Sequence, residues 1–361
     1  MGLTPFTVAA PMPAPSVEQA WLQLVQARVD ASLTELLELP DESRLDIRWT
    51  QALGHVREYV SRPTWRVRPA LLLAGYCLAR GSASVPAGLW RFAAGLELLH
   101  ACMAIHDDTA EQSVLRRGGL TLHHQLAPGA TGQHLSVVVG DHLFARAMET
   151  LLGSELPGAT QASQYYLKLC RYSAVGRYVE LQRGGACLSA GGVLQAWRLA
   201  RLRMVREGLA PALVCGAMLA GADAELRLRL ARVGCHVGLA YELREELLGL
   251  FGEARVGVRA PRCDFLRGRR TFPVVAAWSR ALPEARRELE TLWSLPTERR
   301  DEPALGRMRR LVEESGGRSA TEHLVTRATH GAVRALAELP NPNGLRELVQ
   351  ALIGQLAQRI V

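Results

Sequence analysis

The chain reads as all-α, and three observations carry that reading. Apolar residues recur at three- and four-residue intervals, as in Trp21, Leu22, Val25, Val29 and Leu33 and again in Leu226, Leu230, Val233, Val237 and Ala240, which places them on one face of a helix. Strand-like alternation bounded by turn pairs is scarce. Gly and Pro punctuate the chain at Ser61-Arg62-Pro63, Gly81-Ser82, Gly118-Gly119, Pro128-Gly129, Pro157-Gly158, Gly184-Gly185, Gly191-Gly192, Gly221, Gly257 to Pro261, Pro283, Pro296, Gly316-Gly317 and Pro340 to Gly344. These breaks leave roughly a dozen helical segments of about 12–25 residues, with no repeat of fixed period. One large helical domain is expected over residues 16–361, after a flexible Pro/Ala-rich stretch at residues 1–15. The charged stretch Pro296 to Pro303 is the other segment expected to be flexible.

Composition narrows the function. With 361 residues, 48% hydrophobic and 22% charged, the chain is neither disordered nor a disulfide scaffold. A net charge of +8 suits an anionic ligand, a nucleic acid or an acidic membrane surface. The arginines are spread along the chain with few aromatics between them, so a nucleic-acid interface is not expected. Lys168 is the only lysine, so arginine in place of lysine says little here, whereas an uncharged residue in place of a lysine says more. Seven widely spaced cysteines without a C-x-x-C pair read as buried thiols in a reducing cytoplasm. No apolar run reaches about 18 residues, so a cytoplasmic protein that is not an integral membrane protein is expected.

The chemistry concentrates between Leu96 and Glu111. On a helix His100, Ala104, Asp107 and Glu111 fall in one stripe with Asp108 beside it, so three carboxylates gather at one helix end. A lone acidic triplet is commonly a solvated helix terminus. Here mostly apolar residues lead into it, which describes a buried face ending at a charged cavity rim, where packed carboxylates repel unless a cation sits among them. Hard oxygen ligands suit Mg²⁺, which bridges carboxylates to substrate phosphates. Directly downstream, Arg116-Arg117-Gly118-Gly119 brings two guanidinium groups to a glycine-containing loop, able to grip phosphate oxygens bidentately.

Together these elements resemble the first aspartate-rich motif and the following R-R-G-x-P-T-x-H segment of the trans-prenyl diphosphate synthases, the polyprenyl synthetase family, with Glu111 for the last Asp and Leu120 for the Pro. Further segments follow in order. Arg66-Val67-Arg68-Pro69 resembles the tail of G-G-K-R-x-R-P, Val139 to Phe144 resembles A-G-D-x-L, and Gly176-Arg177-Tyr178-Val179-Glu180-Leu181 resembles G-Q-x-x-D-L. Arg206-Glu207-Gly208 is similar to K-T-G, Gly238 to Gly252 to G-x-A-F-Q-I-x-D-D-x-L-D, and Asp264 to Pro273 to D-L-x-x-G-K-x-T-x-P.

The resemblance implies a single orthogonal helical bundle of the isoprenoid synthase (class I terpenoid synthase) type. In it two acidic motifs face each other and hold Mg²⁺ on an allylic prenyl diphosphate. It implies Asp107, Asp108, Glu111, Glu242, Glu245 and Glu246 on the metal, and Arg116, Arg117, Arg68, His100, Arg206 and Arg269 on the diphosphate. Asp107, Asp108 and Arg116 carry catalysis in this reading, with Trp65, Cys102, Met103 and Tyr241 around the cavity. A homodimer is implied as well, with apolar hairpins near residues 90–105 and 135–152 as its interface.

The departures bear on the outcome. The second acidic motif reads Glu245-Glu246-x-x-Gly249 against D-D-x-x-D, so its last carboxylate is missing and the first two are longer. Gly-Gly-Lys becomes Pro63-Thr64-Trp65, exchanging a phosphate-binding cation for an indole that is either core or, facing the cavity, able to stabilise a cation through its π face. Cys263 stands where the family has Lys, and Glu207 and Glu242 replace Thr and Gln. Met103 and Cys102, just before the first Asp, are not aromatic, which favours a longer chain such as geranylgeranyl. The leading expectation is a class I terpene synthase that ionises geranylgeranyl or farnesyl diphosphate without isopentenyl diphosphate. The alternatives are a chain-elongating prenyltransferase of the geranylgeranyl diphosphate synthase kind and a non-catalytic partner subunit of an active synthase.

Overall fold

The computed structural model describes residues 17–38, 44–182, 187–190, 192–252, 264–340 and 344–357. The first sixteen residues and Cys263 lie outside these, as does the side chain of Arg206. The described residues form a run of helices: α1 (Val17–Leu36), α2 (Ile47–Ser61), α3 (Val67–Arg80), α4 (Ala87–Ala110), α5 (Leu122–Leu126), α6 (Gly129–Leu152), α7 (Ala159–Gln182), α8 (Gly192–Glu207), α9 (Leu209–Leu219), α10 (Ala224–Phe251), α11 (Phe272–Arg280), α12 (Pro283–Trp293), α13 (Glu302–Glu314), α14 (Gly317–Ala337) and α15 (Leu345–Ala357). Two-residue strands β1 (Leu115–Arg116) and β2 (Gly119–Leu120) pair antiparallel between α4 and α5. This is the all-α architecture expected from periodicity.

Local chemistry sets the boundaries. Asp46, Asp223 and Asp301 cap α2, α10 and α13 through their side chains, and Gly81 ends α3 in the left-handed region. Gly208, at φ 68°, separates α8 from α9, a break that no Gly/Pro pair announces. The Pro296 to Pro303 stretch corrects the expectation of flexibility. Arg300 is buried there, donating to the carbonyls of Leu295, Phe265 and Trp293 at 2.9, 2.8 and 2.7 Å. Its guanidinium also lies over the Phe265 and Trp293 rings.

The expected helical stripes are the ones that pack. Val25, Val29 and Leu33 of α1 and Leu230, Val233 and Val237 of α10 enter one core with α2 to α7, α9 and the ends of α14 and α15. Smaller cores join α11 to α13 around Phe265, and α8 to the second half of α10. Most of the 90–105 stretch is buried inside the main core, so it is not an outward face. The outward apolar face lies instead on α6 and α7, with Val138, Phe144, Leu152, Tyr172, Val175 and Tyr178 exposed. No helix among the described residues is long and apolar enough to cross a membrane.

At the centre, α3 and α9 approach closely because Gly75 and Gly216 face each other's helix. A Cβ at Gly216 would meet the Leu72 carbonyl and, at 2.7 Å, the Tyr76 amide nitrogen. Backbone cannot yield there as a side chain would. Gly216→Ala is expected to destabilise the protein by about 1–3 kcal/mol through forced helix separation, read as a lower melting temperature. An unchanged melting temperature would contradict this packing.

Candidate active site

The apolar length of α4 ends where its carboxylates begin. Asp108 is 1% exposed and fully engaged. Arg116 grips it bidentately, Nε to Oδ2 at 2.5 Å and Nη2 to Oδ1 at 2.9 Å, and the Tyr59 hydroxyl donates to Oδ2 at 2.9 Å. Burial alone would lower the Arg116 pKa, but Tyr59 and Asp108 outweigh it and hold the group more firmly protonated. Arg62 fastens the hairpin from below, donating to the carbonyls of Arg116 and Leu120, both at 2.8 Å.

Between β1 and β2 the turn residues Arg117 and Gly118 both have positive φ, 50° and 78°, as a two-residue hairpin of this twist requires. Glycine meets that demand freely and arginine at some cost. The strained Arg117 helps line a small cavity of about 10 Å³ with Tyr59, Arg66, Glu97, His100 and Arg116. Arg66, also left-handed at φ 45°, reaches Glu97 Oε2 at 2.9 Å, and Arg68 lies 3.6 Å from Oε1. Burial pushes Glu97 up, yet Arg68, Arg66 and Arg117 pull it below its ordinary value. For Arg117 burial comes first, Glu97 opposes it, Arg116 and Arg66 add to it, and its pKa drops to about 10.

Across from this cationic pocket stands a lattice of guanidinium and carboxylate groups. Arg177 of α7 reaches Asp107 at 3.5 Å, Glu111 at 3.0 Å and Glu180 at 3.3 Å, and Arg267 donates to Glu111 at 2.8 Å. Arg203 of α8 binds Glu180 at 3.0 Å, Glu242 at 2.6 Å and Glu246. Arg269 joins Glu180 at 2.7 Å to Asp264 at 3.4 Å. Burial raises Glu180, but Arg269, Arg203 and Arg177 dominate and bring it to about 2. Asp264 is pushed up by burial despite Arg269.

The expected residues thus fall into distinct groups. Asp107, Glu111, Glu242, Glu246 and Arg269 share the lattice, with Glu245 half-buried on the same helix as Glu242 and Glu246. Arg68, His100, Arg116 and Arg117 gather at the cationic pocket. Cys102 packs into the main core, while Met103 and Tyr241 are half-buried. Trp65 is 50% exposed, on the segment between α2 and α3, and so is not a buried core residue. A larger cavity, about 530 Å³, lies between α8, α11 and α14, and none of the expected site residues lines it. Sequence reasoning missed Tyr59, Glu97, Arg177, Glu180, Arg203 and Asp264. Arg177 was visible as a departure, since it stands where the G-Q-x-x-D-L pattern has Gln.

Residues 50–305 match the sequence profile of the polyprenyl synthetase family. The chain belongs to that family. It is similar to a geranylfarnesyl diphosphate synthase of Aeropyrum pernix, 27% identical over 305 residues that cover 82% of this chain and 90% of the relative. A geranylgeranyl pyrophosphate synthase of Corynebacterium glutamicum, solved with isoprenyl diphosphate and magnesium, superposes with a TM-score of 0.81 at 26% identity, covering 94% of this chain and 99% of that one. A polyprenyl synthase of Caulobacter crescentus, solved with calcium and isoprenyl diphosphate, gives 0.80 at 25% identity, covering 97% and 100%. The isoprenoid synthase bundle is therefore the fold, and the expectation of a prenyl diphosphate enzyme agrees with these synthases.

The two acidic segments differ in how they suit Mg²⁺. No three His, Cys, Asp or Glu side chains among the described residues converge as a ready cation site. Asp107 and Glu111 retain partial access at 16% and 12% side-chain exposure; Arg177 contacts both, and Glu111's second partner Arg267 is itself 30% exposed. Two carboxylates suffice for Mg²⁺ when phosphate oxygens and water complete its shell, so this pair fits. Asp108, with both oxygens on Arg116, does not.

Glu180 also links the lattice to acid stability. Its folded pKa near 2 lies below its ordinary 4.5, so the unfolded chain takes up the proton first. The stabilisation is present above about pH 4.5 and is lost as pH falls toward 2. Glu180→Gln is expected to cost on the order of 3 kcal/mol at pH 7 and much less near pH 3. Urea melts at both pH values measure this, and an equal loss at each would refute the assignment.

Proposed function

We propose that this protein is a prenyltransferase that joins an allylic prenyl diphosphate to isopentenyl diphosphate and releases inorganic diphosphate. One observation carries the reading: the buried Arg66 and Arg68 and the half-buried Arg117 gather around Glu97, with Asp30 as the second carboxylate on Arg66. Arg117 is held there in left-handed backbone with its pKa depressed. A further anion would relieve the remaining excess of positive charge. His100 lines the same pocket, and Arg68, His100 and Arg117 match the positions the family uses for isopentenyl diphosphate. The relatives named above are prenyl diphosphate synthases, which supports the same reading.

The residues divide the work by charge. The cationic pocket binds and orients the diphosphate of the nucleophilic substrate. Arg116 with Asp108 fixes the hairpin so that Arg117 stays aimed at the pocket. The lattice arginines Arg177, Arg267 and Arg269 border the opposite side, where the allylic diphosphate leaves. Asp107 and Glu111 would hold Mg²⁺, which neutralises charge on the departing diphosphate. The exposed apolar face of α6 and α7 is the surface a homodimer would bury.

A second reading, single-substrate ionisation as in a terpene synthase, is favoured by Pro63-Thr64-Trp65 in place of Gly-Gly-Lys. The exposure of Trp65 weakens the part of it that relied on an indole facing a carbocation. The two readings separate in one assay with Mg²⁺ and geranyl, farnesyl or geranylgeranyl diphosphate, with and without isopentenyl diphosphate. A longer prenyl diphosphate formed only when isopentenyl diphosphate is present is the expected result. Hydrocarbon or cyclised alcohol without it would establish the second reading, and no turnover alone would point to a partner subunit. Arg117→Ala is expected to raise KM for isopentenyl diphosphate by about tenfold or more, an effect of roughly 1.4 kcal/mol, while KM for the allylic substrate changes little.

A further inference from the structure

Glu242 and Glu246 of α10 are closed in a way Asp107 and Glu111 of α4 are not. Arg203 spends its whole fork on them: Nη1 meets Glu180 Oε1 at 3.0 Å, Nε meets Glu242 Oε1 at 2.6 Å, and Nη2 meets Glu246 Oε1. The other oxygen of Glu246 accepts the backbone N–H of Phe272 at 2.8 Å, at the first residue of α11. The Arg203, Glu242 and Glu246 side chains are 5%, 7% and 2% exposed. Because α8 packs against both α7 and α10, it delivers this guanidinium from within the bundle, and a metal ion could reach Glu246 only by displacing a buried cation.

Charge balance points the same way. Six carboxylates of the described lattice, Asp107, Glu111, Glu180, Glu242, Glu246 and Asp264, face four guanidinium groups, Arg177, Arg203, Arg267 and Arg269. Carboxylates outnumber guanidinium groups in this set. The more accessible of them are Asp107 and Glu111, which share Arg177, and Arg267, the partner of Glu111, is 30% exposed.

We propose that Arg203 is the resident cation of the second acidic segment, so that Glu242 and Glu246 hold a guanidinium and are not metal ligands. Glu245, half-buried on the same helix and outside this fork, is then left as a single carboxylate, and the pair of acids available to a metal is Asp107 with Glu111 on the α4 side. The prenyl-transfer reading enters only through the choice of pyrophosphate as probe.

The test is Mn²⁺ binding to the whole protein with inorganic pyrophosphate present, followed by the paramagnetic resonance signal of free Mn²⁺. About one ion per chain is expected. Glu242→Gln and Glu246→Gln should each change Mn²⁺ affinity less than about twofold, while Asp107→Asn weakens it by about tenfold or more, within the range that metal-shell changes produce. Two or more ions per chain, with one lost in Glu242→Gln, would overturn the proposal. If Glu246→Gln fails to fold, the wild-type count and Glu242→Gln decide. Since no turnover is read, a failure of prenyl transfer leaves this result standing, and the reverse also holds.

Discussion

Neutralisation of buried charge governs this molecule. Glu180 sits where α7, α8 and the segment entering α11 meet, and three arginines converge on it. Removing one partner of such a pair leaves an uncompensated buried charge at a cost of about 3–5 kcal/mol. The lattice therefore behaves as one unit. Arg203 reaches α10, Arg177 reaches the end of α4, and Arg269 ties in Asp264, so helices far apart in sequence are held in register by electrostatics as well as by apolar packing.

The same rule makes the two sides of the site opposite in sign. On the hairpin side arginines outnumber carboxylates around Glu97; on the α10 side carboxylates outnumber arginines around Glu180. The proposed prenyl transfer would use this asymmetry: one substrate would keep its diphosphate on fixed guanidinium groups, while the other would lose its diphosphate where charge is adjustable. Arg117 shows how firmly the first side is built, because a left-handed arginine is retained where glycine would relax the turn.

Much of this was legible in the sequence. The apolar stripes of α1 and α10 pack where periodicity placed them, and the acids of α4 and the paired arginines of the hairpin fall where the motif order put them. What periodicity cannot give is the partner of a side chain. Arg203 lies 39 and 43 residues from Glu242 and Glu246, and in a chain whose basic residues are almost all arginine one more arginine on a helix carries no signal. The exposure of Trp65 was not legible for a related reason: the resemblance gave its position in a motif, but exposure depends on how the segment between α2 and α3 leaves the core. The outward apolar face was half legible. The 90–105 stretch and α6 are both apolar, and only packing shows that the first is spent internally.

The replacements along the chain have a common logic. Glu stands where the family pattern has Asp at 111, 180 and 246, Glu242 stands for Gln, and Arg177 stands for Gln. Taken singly these are conservative or obscure. In the structure these longer carboxylates meet guanidinium forks, as Asp107, Asp108 and Asp264 also do, and the arginine at 177 is one of those forks. An additional methylene lets carboxylates on separate helices converge on one planar group, whereas shorter aspartates at these positions would hold back and leave space for a small hard cation. The exchange of Asp for Glu and the presence of arginine thus act in one direction, toward a centre balanced in part by its own side chains.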